Sequence, residues 1–259
     1  NQQEEIILTC HEKLGMIFLN IVKDFYDNID FELIAMHGQT ISHINKHKSI
    51  QIGDPHYLFD YYNIPIIYDF RSRDIQLGGN GAPLVPYLDW LLSKNTDIDI
   101  ITVNLGGIAN ITYIPKESTR DNVIGFDTGP GMCLIDQFMQ IKWNLSFDSN
   151  GDIAKTGKID QCLLYALLKH PFINKQFPKS TSREEFGFKY LNNIIKKYPS
   201  INKYDMLRTL VFFTSKSIYR NIKFVIDQKK EFMLLLSGGG VNNNLLVSDI
   251  KNIFNNKKI

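Results

Sequence analysis

The sequence has little cysteine, and what it has is scattered: Cys10, Cys133 and Cys162 in 259 residues. The number is odd, no CxxC pair occurs and no Cys/His spacing suits zinc, which argues against a disulfide framework or a zinc site and fits a reducing, cytoplasmic setting. No apolar run approaches the roughly 20 residues that a membrane helix needs, and no signal peptide is visible. No charge of one sign dominates either. Lys and Arg number 29 against 27 Asp and Glu, a net +2, so no global field recruits nucleic acid or an anionic membrane. A dense basic stretch, Lys196 and Lys197, reads as a solvated helix face. The GxSxG, HExxH and GxxxxGK[ST] signatures are missing. An initial methionine is missing too: the chain begins at Asn1 and enters a helical pattern without a capping signal, so a native segment ahead of it is expected.

The composition that remains, 44% hydrophobic and 22% charged, is that of a globular protein and not of a disordered one. The length suffices for one large domain or two modest lobes. Ile6, Ile7, Cys10, Leu14, Ile17, Phe18, Ile21, Val22 and Phe25 recur at helical steps and predict a first helix. Strands over 33–36 and 65–70 flank a helix over 54–62, and a glycine loop precedes a helix over 84–92. Strands over 99–104 and 108–114 form a hairpin about Gly106-Gly107, and a strand over 123–126 leads through a tight turn into a helix reaching Lys142. Helical periodicity near 160–168, 183–197 and 204–228 precedes a strand over 232–236 and a helix over 243–254. This alternation predicts an α/β fold. The polar stretch from Ser93 to Thr96 marks the lobe boundary, giving a first lobe over 1–95 and a second over 96–259.

Four glycine-rich turns after apolar strands carry the chemical signal. Ligands of open α/β sheets bind beyond the carboxyl ends of strands, and glycine lets backbone N–H groups approach phosphate oxygens. Asn104-Leu105-Gly106-Gly107 reads as a phosphate-binding turn or simply as a hairpin. Gly125-Phe126-Asp127-Thr128-Gly129-Pro130-Gly131 places Asp127 as a general base, a metal ligand or a cap of the next helix. Gly238-Gly239-Gly240-Val241-Asn242 offers a surface free of side chains to a nucleoside, or a flexible connector. Arg71 and Asp74, ahead of the loop Gly78 to Pro83, suit phosphate or carboxylate binding, or else a surface ion-pair cluster. His37 ends a strand in the polar loop His37-Gly38-Gln39-Thr40, with His43 close by. That loop suits a sugar hydroxyl, or His37 is a structural histidine; no third ligand is spaced to make a metal site with the two.

Together these segments resemble the anhydro-N-acetylmuramic acid kinase family. The matching stretches are His37 to Thr40 with His43, Gln51 to Asp54, Asp69 to Arg71 with Asp74, Gly78 to Pro86, Asn104 to Thr112, Gly125 to Gly131, Pro178 to Thr181 with Arg183-Glu184, and Gly238 to Gly240 with Asn242, all in the family's order. The resemblance implies two ribonuclease-H-like lobes of the actin-like and hexokinase-like ATPase type, with ATP in the interlobe cleft. It implies hydrolytic opening of the 1,6-anhydro ring and phosphorylation of O6, in bacterial peptidoglycan recycling in the cytoplasm. ATP and Mg²⁺ are the implied cofactors and an amino sugar the implied partner, with no nucleic acid or membrane; a homodimer is one assembly to test for. The resemblance makes Asp127 the base. It puts Asn104, Gly106, Gly107, Gly238, Gly239, Gly240 and Asn242 at the nucleotide, and His37, Gln39, Arg71, Asp74, Gly129 and Gly131 at the sugar. No metal ligand is assigned.

The sequence departs from the family at Asn80, Met132 and Ser182, where glutamine, asparagine and glycine are usual. The family's first phosphate loop, a Gly-Thr-Ser-x-Asp-Gly segment, and its C-terminal return helix are absent, so the first lobe is expected to be partial and the second to lack its C-terminal return segment. A kinase for a different sugar, or a catalytically impaired sugar- or nucleotide-binding relative, are the alternatives.

Overall fold

The computed structural model describes residues 2–26, 28–44, 46–227, 230–255 and 257–259. It divides into two compact units, Asn1–Leu84 and Val85–Ile259. The division falls ahead of the boundary expected near residue 95, because the helix just after it packs within the second unit. That helix, over Val85–Ser93, is tied down by polar bonds: the Asp89 carboxylate accepts from Thr102 Oγ1 at 2.6 Å and Thr112 Oγ1 at 2.7 Å, and Trp90 Nε1 donates to the Ser118 carbonyl.

In the first unit, helix α1 spans Gln2–Tyr26. It meets the chain near Asp54 at Gly15, where a Cβ would lie 2.6 Å from the Asp54 carbonyl oxygen; no larger residue fits there without displacing backbone. Strand β1 (Ile34–Ala35) pairs in parallel with β4 (Ile66–Ile67), and β2 (Gln39–Ile44) pairs antiparallel with β3 (Lys48–Ile52). Helices α2 (His56–Tyr62) and α3 (Phe70–Gln76) complete the unit. The stretch after His37, expected as a loop, is therefore a hairpin. Its strands are polar and only half-buried, so the two-residue period that marks a strand is weak. Helix α3 was not expected, since its seven residues carry two arginines, an aspartate and no apolar stripe.

In the second unit, with α4 the helix over Val85–Ser93, strands β5 (Asp99–Leu105), β6 (Ile108–Ile114), β7 (Ile124–Pro130) and β8 (Phe232–Ser237) form one sheet in the order β7-β6-β5-β8. The first three are antiparallel and β8 is parallel to β5. Three meandering strands followed by a fourth beside the first is the strand order of a ribonuclease-H-like sheet. Ile101, Val103 and Leu105 alternate along β5 and are fully buried, as a strand with one face on a core requires. That core also holds Phe126 of β7 and Phe138 of helix α5 (Cys133–Trp143). Helices α6 (Gln161–Leu168), α7 (Pro171–Asn174), α8 (Phe188–Lys197), α9 (Lys203–Ile222) and α10 (Asn244–Ile253) follow in order. Helix α9 starts at an Asn202 cap whose side chain accepts from the Tyr204 and Asp205 amides.

Two helix boundaries differ from expectation. Helix α8 begins at Phe188 and not near 183, because Glu185 and Phe186 donate to the Ser182 carbonyl in a preceding turn. Helix α9 ends at Ile222; residue 228, its expected end, lies outside the described residues. Strand β7 runs on to Pro130, so Asp127 lies within a strand and not in a turn after it. The prolyl and glycyl residues that signalled a turn are tolerated because β7 is an edge strand.

Candidate active site

The second unit carries two of the glycine turns at the same end of its sheet. In the β5–β8 register, Asn104 pairs with Ser237, so the turns after these strands start side by side. Gly238 has a φ of +84°, and a Cβ there would fall 2.5 Å from Asn104 Oδ1; at Gly240 it would fall 2.7 Å from Leu105 Cβ. Glycine is thus required for the two turns to meet. The chain leaving β7 joins them. The amides of Gly131 and Cys133 donate to the Gly107 carbonyl at 2.9 and 3.1 Å, and the Met132 amide donates to the Gly106 carbonyl at 2.8 Å. The first amides of α5, which no helical carbonyl satisfies, are thereby spent on holding the Gly106-Gly107 hairpin.

A cavity of about 470 Å³ is lined by Gly106 and Gly107, by Gly239, Gly240 and Asn242, and by Phe147 to Asn150. Its volume is in the range of small-molecule sites, about 300–1,000 Å³. Met132, Asp136 and Asn243 also line it. The Met132 side chain rests against Gly240, and the amide bond that orders the turn belongs to its backbone, so the departure from asparagine leaves the turn intact. Asp148 is committed, its two oxygens accepting from the Ile153 and Ala154 amides at 3.0 and 2.9 Å. Asp136 differs: its Oδ1 is buried and has no hydrogen-bond partner. Burial pushes this carboxyl up to about 6, against the pull of the Arg183 guanidinium.

Asp127 is buried and does not line this cavity. Its amide donates to the Lys179 carbonyl and its Oδ2 accepts from the Thr181 amide at 2.9 Å. The segment 179–183 therefore runs from Asp127 to the hairpin, where Arg183 lies against Gly107. Lys179, also buried, donates through Nζ to the Phe172 carbonyl at 2.8 Å, and burial pushes its ammonium down to about 8. Helix α9 fixes the end of β7 through a buried polar stripe. Ser217 Oγ and Asn221 Nδ2 donate to the Thr128 carbonyl at 2.6 and 3.1 Å, and Thr214 Oγ1 donates to the Gly131 carbonyl at 2.9 Å. Gly129, at φ +136°, leaves room for Ser217.

The first unit gathers three of its four expected sugar contacts. Arg71 Nε donates to His37 Nε2 at 2.9 Å, and its Nη1 donates to the Gly81 carbonyl at 2.7 Å. Since Nε2 accepts, the proton of a neutral His37 lies on Nδ1, which meets the Gly38 carbonyl at 2.8 Å. Asp74 Oδ2 accepts from the Gly81 amide at 2.7 Å. His37 also lines a cavity of about 270 Å³ with Gln51, Asp54 and Asp69. Gln39 stands apart: it is exposed, and its side chain bonds the adjacent Thr40 carbonyl.

Residues 7–259 match the family model described as anhydro-N-acetylmuramic acid kinase. The chain belongs to the anhydro-N-acetylmuramic acid kinase family. It is 40% identical over 261 residues to the protein of that name from Clostridioides difficile (strain 630), covering 96% of this chain and 68% of that protein. The counterpart from Bacillus cereus (strain AH820) is 37% identical over 264 residues, covering 97% and 69%. Among solved structures, the activator of the 2-hydroxyisocaproyl-CoA dehydratase from Clostridium difficile, with bound ADPNP, aligns at a TM-score of 0.40 and 12% identity, over 87% of this chain and 86% of that one. At that distance it informs nothing further.

Membership in this kinase family gives the paired glycine turns a chemical context. Asp136, Asp148 and the buried stripe on α9 were not singled out from the sequence, and Lys179 stood there only within a matching stretch. Arg183 stood there only as part of a matching motif. No local pattern marks such residues, because tertiary packing brings them to the turns. No described helix is long and apolar enough to cross a membrane.

Proposed function

We propose that this chain binds ATP on the paired glycine turns of its second unit and phosphorylates 1,6-anhydro-N-acetylmuramic acid. The observation that carries the reading is the single cavity shared by Gly106, Gly107, Gly239, Gly240 and Asn242, in a member of this kinase family. The phosphates would lie on Gly106 and Gly107. The nucleoside would lie on Gly239 and Gly240, with Asn104 and Gly238 shaping the turn from behind. Mg²⁺ takes one or two carboxylates together with phosphate oxygens and waters, and the residues fit it: Asp136 has an oxygen that no protein donor occupies. Asp136 would hold the ion, which supplies charge neutralisation on the phosphates when bound.

Asp127 takes the proton from a water that attacks C1 of the anhydro sugar. The C1–O6 bond breaks, O6 takes the γ-phosphoryl group, and ADP leaves. The products are N-acetylmuramic acid 6-phosphate and ADP, the reaction of peptidoglycan recycling in a bacterial cytoplasm. Phosphoryl transfer of this kind depends on positioning and charge compensation, and the carboxylate's role is proton removal. Sugar contacts are assigned to His37, Gln39, Arg71, Asp74, Gly129 and Gly131; the Gln39 side chain bonds the adjacent Thr40 carbonyl.

The test is to incubate the intact protein with ATP, Mg²⁺ and anhydro sugar in ¹⁸O-labelled water. A 6-phosphate with the label at C1 supports the reading, and an intact protein without turnover removes it. Asp127→Asn should lower turnover by at least about 10²-fold while ATP affinity stays near that of the parent; normal turnover in this variant would show that another group is the base.

A further inference from the structure

Arg183 sits on the phosphate turn with its donors uncommitted. Its guanidinium lies so close to Gly107 that a Cβ there would be 2.8 Å from Nη2 and 3.1 Å from Nε. The approach exists only because residue 107 has no side chain. Among the described residues the guanidinium makes no hydrogen bond or ion pair, and the residue is exposed. An arginine that served to fix the loop would spend its five N–H groups on carbonyls or carboxylates, as Arg208 does in a two-pronged bond to Asp249. The loop is instead fixed by other atoms. The Thr181 amide bonds Asp127, the Glu185 and Phe186 amides bond the Ser182 carbonyl, and Cys133 Sγ bonds the Phe186 carbonyl. Arg183 is therefore held at the turn by a loop that does not need it. Two residues along the same loop is Thr181, the donor to Asp127.

We infer that Arg183 binds the terminal phosphoryl group of the nucleotide over Gly107 and compensates the charge that develops there during transfer. The inference rests on reading the Gly106-Gly107 hairpin as the phosphate site. A planar fork of donors suits phosphate oxygens, and such an arginine acts on the transferred group more than on the phosphates that remain with ADP. Because one loop carries both Arg183 and the amide that holds Asp127, the chain couples the position of the base to the position of the phosphoryl group.

The experiment compares the intact parent with Arg183→Ala and Arg183→Lys, measuring turnover and the calorimetric affinities for ATP and ADP. For Arg183→Ala, kcat should fall by roughly 10²–10³-fold, as for loss of one transition-state donor. ATP affinity should fall by about tenfold or more with ADP affinity changed less than about threefold, since only the terminal group loses its partner. Arg183→Lys should regain part of the ATP affinity and stay at least about tenfold below the parent in kcat, because a point charge does not replace the fork. Gly107→Ala, whose Cβ would push the guanidinium aside, should lower kcat in the parent and add little in the Arg183→Ala background. A kcat within about threefold of the parent for Arg183→Ala overturns the inference. So does an equal loss of ATP and ADP affinity with a lowered melting temperature, the signature of a merely structural role. A parent that turns over while Arg183→Ala is unchanged sinks the inference alone. A parent that binds no ATP sinks the phosphate-site reading and the inference with it.

Discussion

Lys179 offers a test of how tightly the strand bearing Asp127 is packed. The residue is 4% exposed and touches the rings of Phe172 and Phe126 with its ammonium, 4.6 and 5.9 Å from their centroids. Burial lowers its pKa from 10.5 to about 8, with Lys175 adding to the shift and Asp127 and Glu185 opposing it. That difference corresponds to about 3 kcal/mol. Between pH 8 and 10.5 the unfolded chain holds a proton that the folded chain has released, so stability rises with pH across this window. Below pH 8 both states are protonated and the full cost remains. Lys179→Met removes the titration. The unfolding free energy of the parent minus that of the variant should therefore increase by about 3 kcal/mol from neutral pH to about 10.5. The phenols of Tyr113 and Tyr190, pushed up to about 12 by burial, contribute stability that is lost above pH 10. They titrate alike in both proteins and cancel in the difference. Urea melts of the two proteins across this range measure it. A difference that does not change with pH would mean that the ammonium reaches water and that the packing around β7 is looser than described.

Two further substitutions test the scaffold of the site. Gly131→Ala would put a Cβ 2.2 Å from the Gly106 carbonyl oxygen, prying α5 off the hairpin; it should destabilise the fold by about 2 kcal/mol or more and weaken ATP binding, read by thermal melts and calorimetry. Arg208→Met would strand Asp249, whose carboxylate is 8% exposed, at a cost of about 3–5 kcal/mol. Adding Asp249→Leu should recover most of that loss in urea melts.

The hairpin about Gly106-Gly107 was legible because two apolar runs flank a turn that only glycine makes easily. The strand before Gly238 was legible for the same reason. The path of β7 was misread because Gly129 and Pro130 carry the composition of a turn, and only the edge position in the sheet admits them to a strand. The hairpin of β2 and β3 stayed hidden because Thr40, Ser42, His43, Ser49 and Gln51 bury polar groups where a strand pattern calls for apolar ones. Several of them bond one another across the hairpin: Gln51 Nε2 donates to Thr40 Oγ1 and Ser49 Oγ, and His43 Nδ1 meets Ser49 Oγ. The stripe of Thr214, Ser217 and Asn221 on α9 gives no cue in the sequence, since its partners are backbone carbonyls on a strand more than eighty residues earlier. Asp127 and the stretch Pro178 to Thr181 were each singled out, but the bond between them was not, because the Thr181 amide joins two segments that no spacing rule connects.

The most direct test of the account is a crystal structure of the intact protein with a non-hydrolysable ATP analogue. The account predicts phosphate oxygens within hydrogen-bond distance of the Gly106 and Gly107 backbone and the nucleoside lying over Gly239 and Gly240. An analogue bound elsewhere, with these two turns untouched, would contradict it.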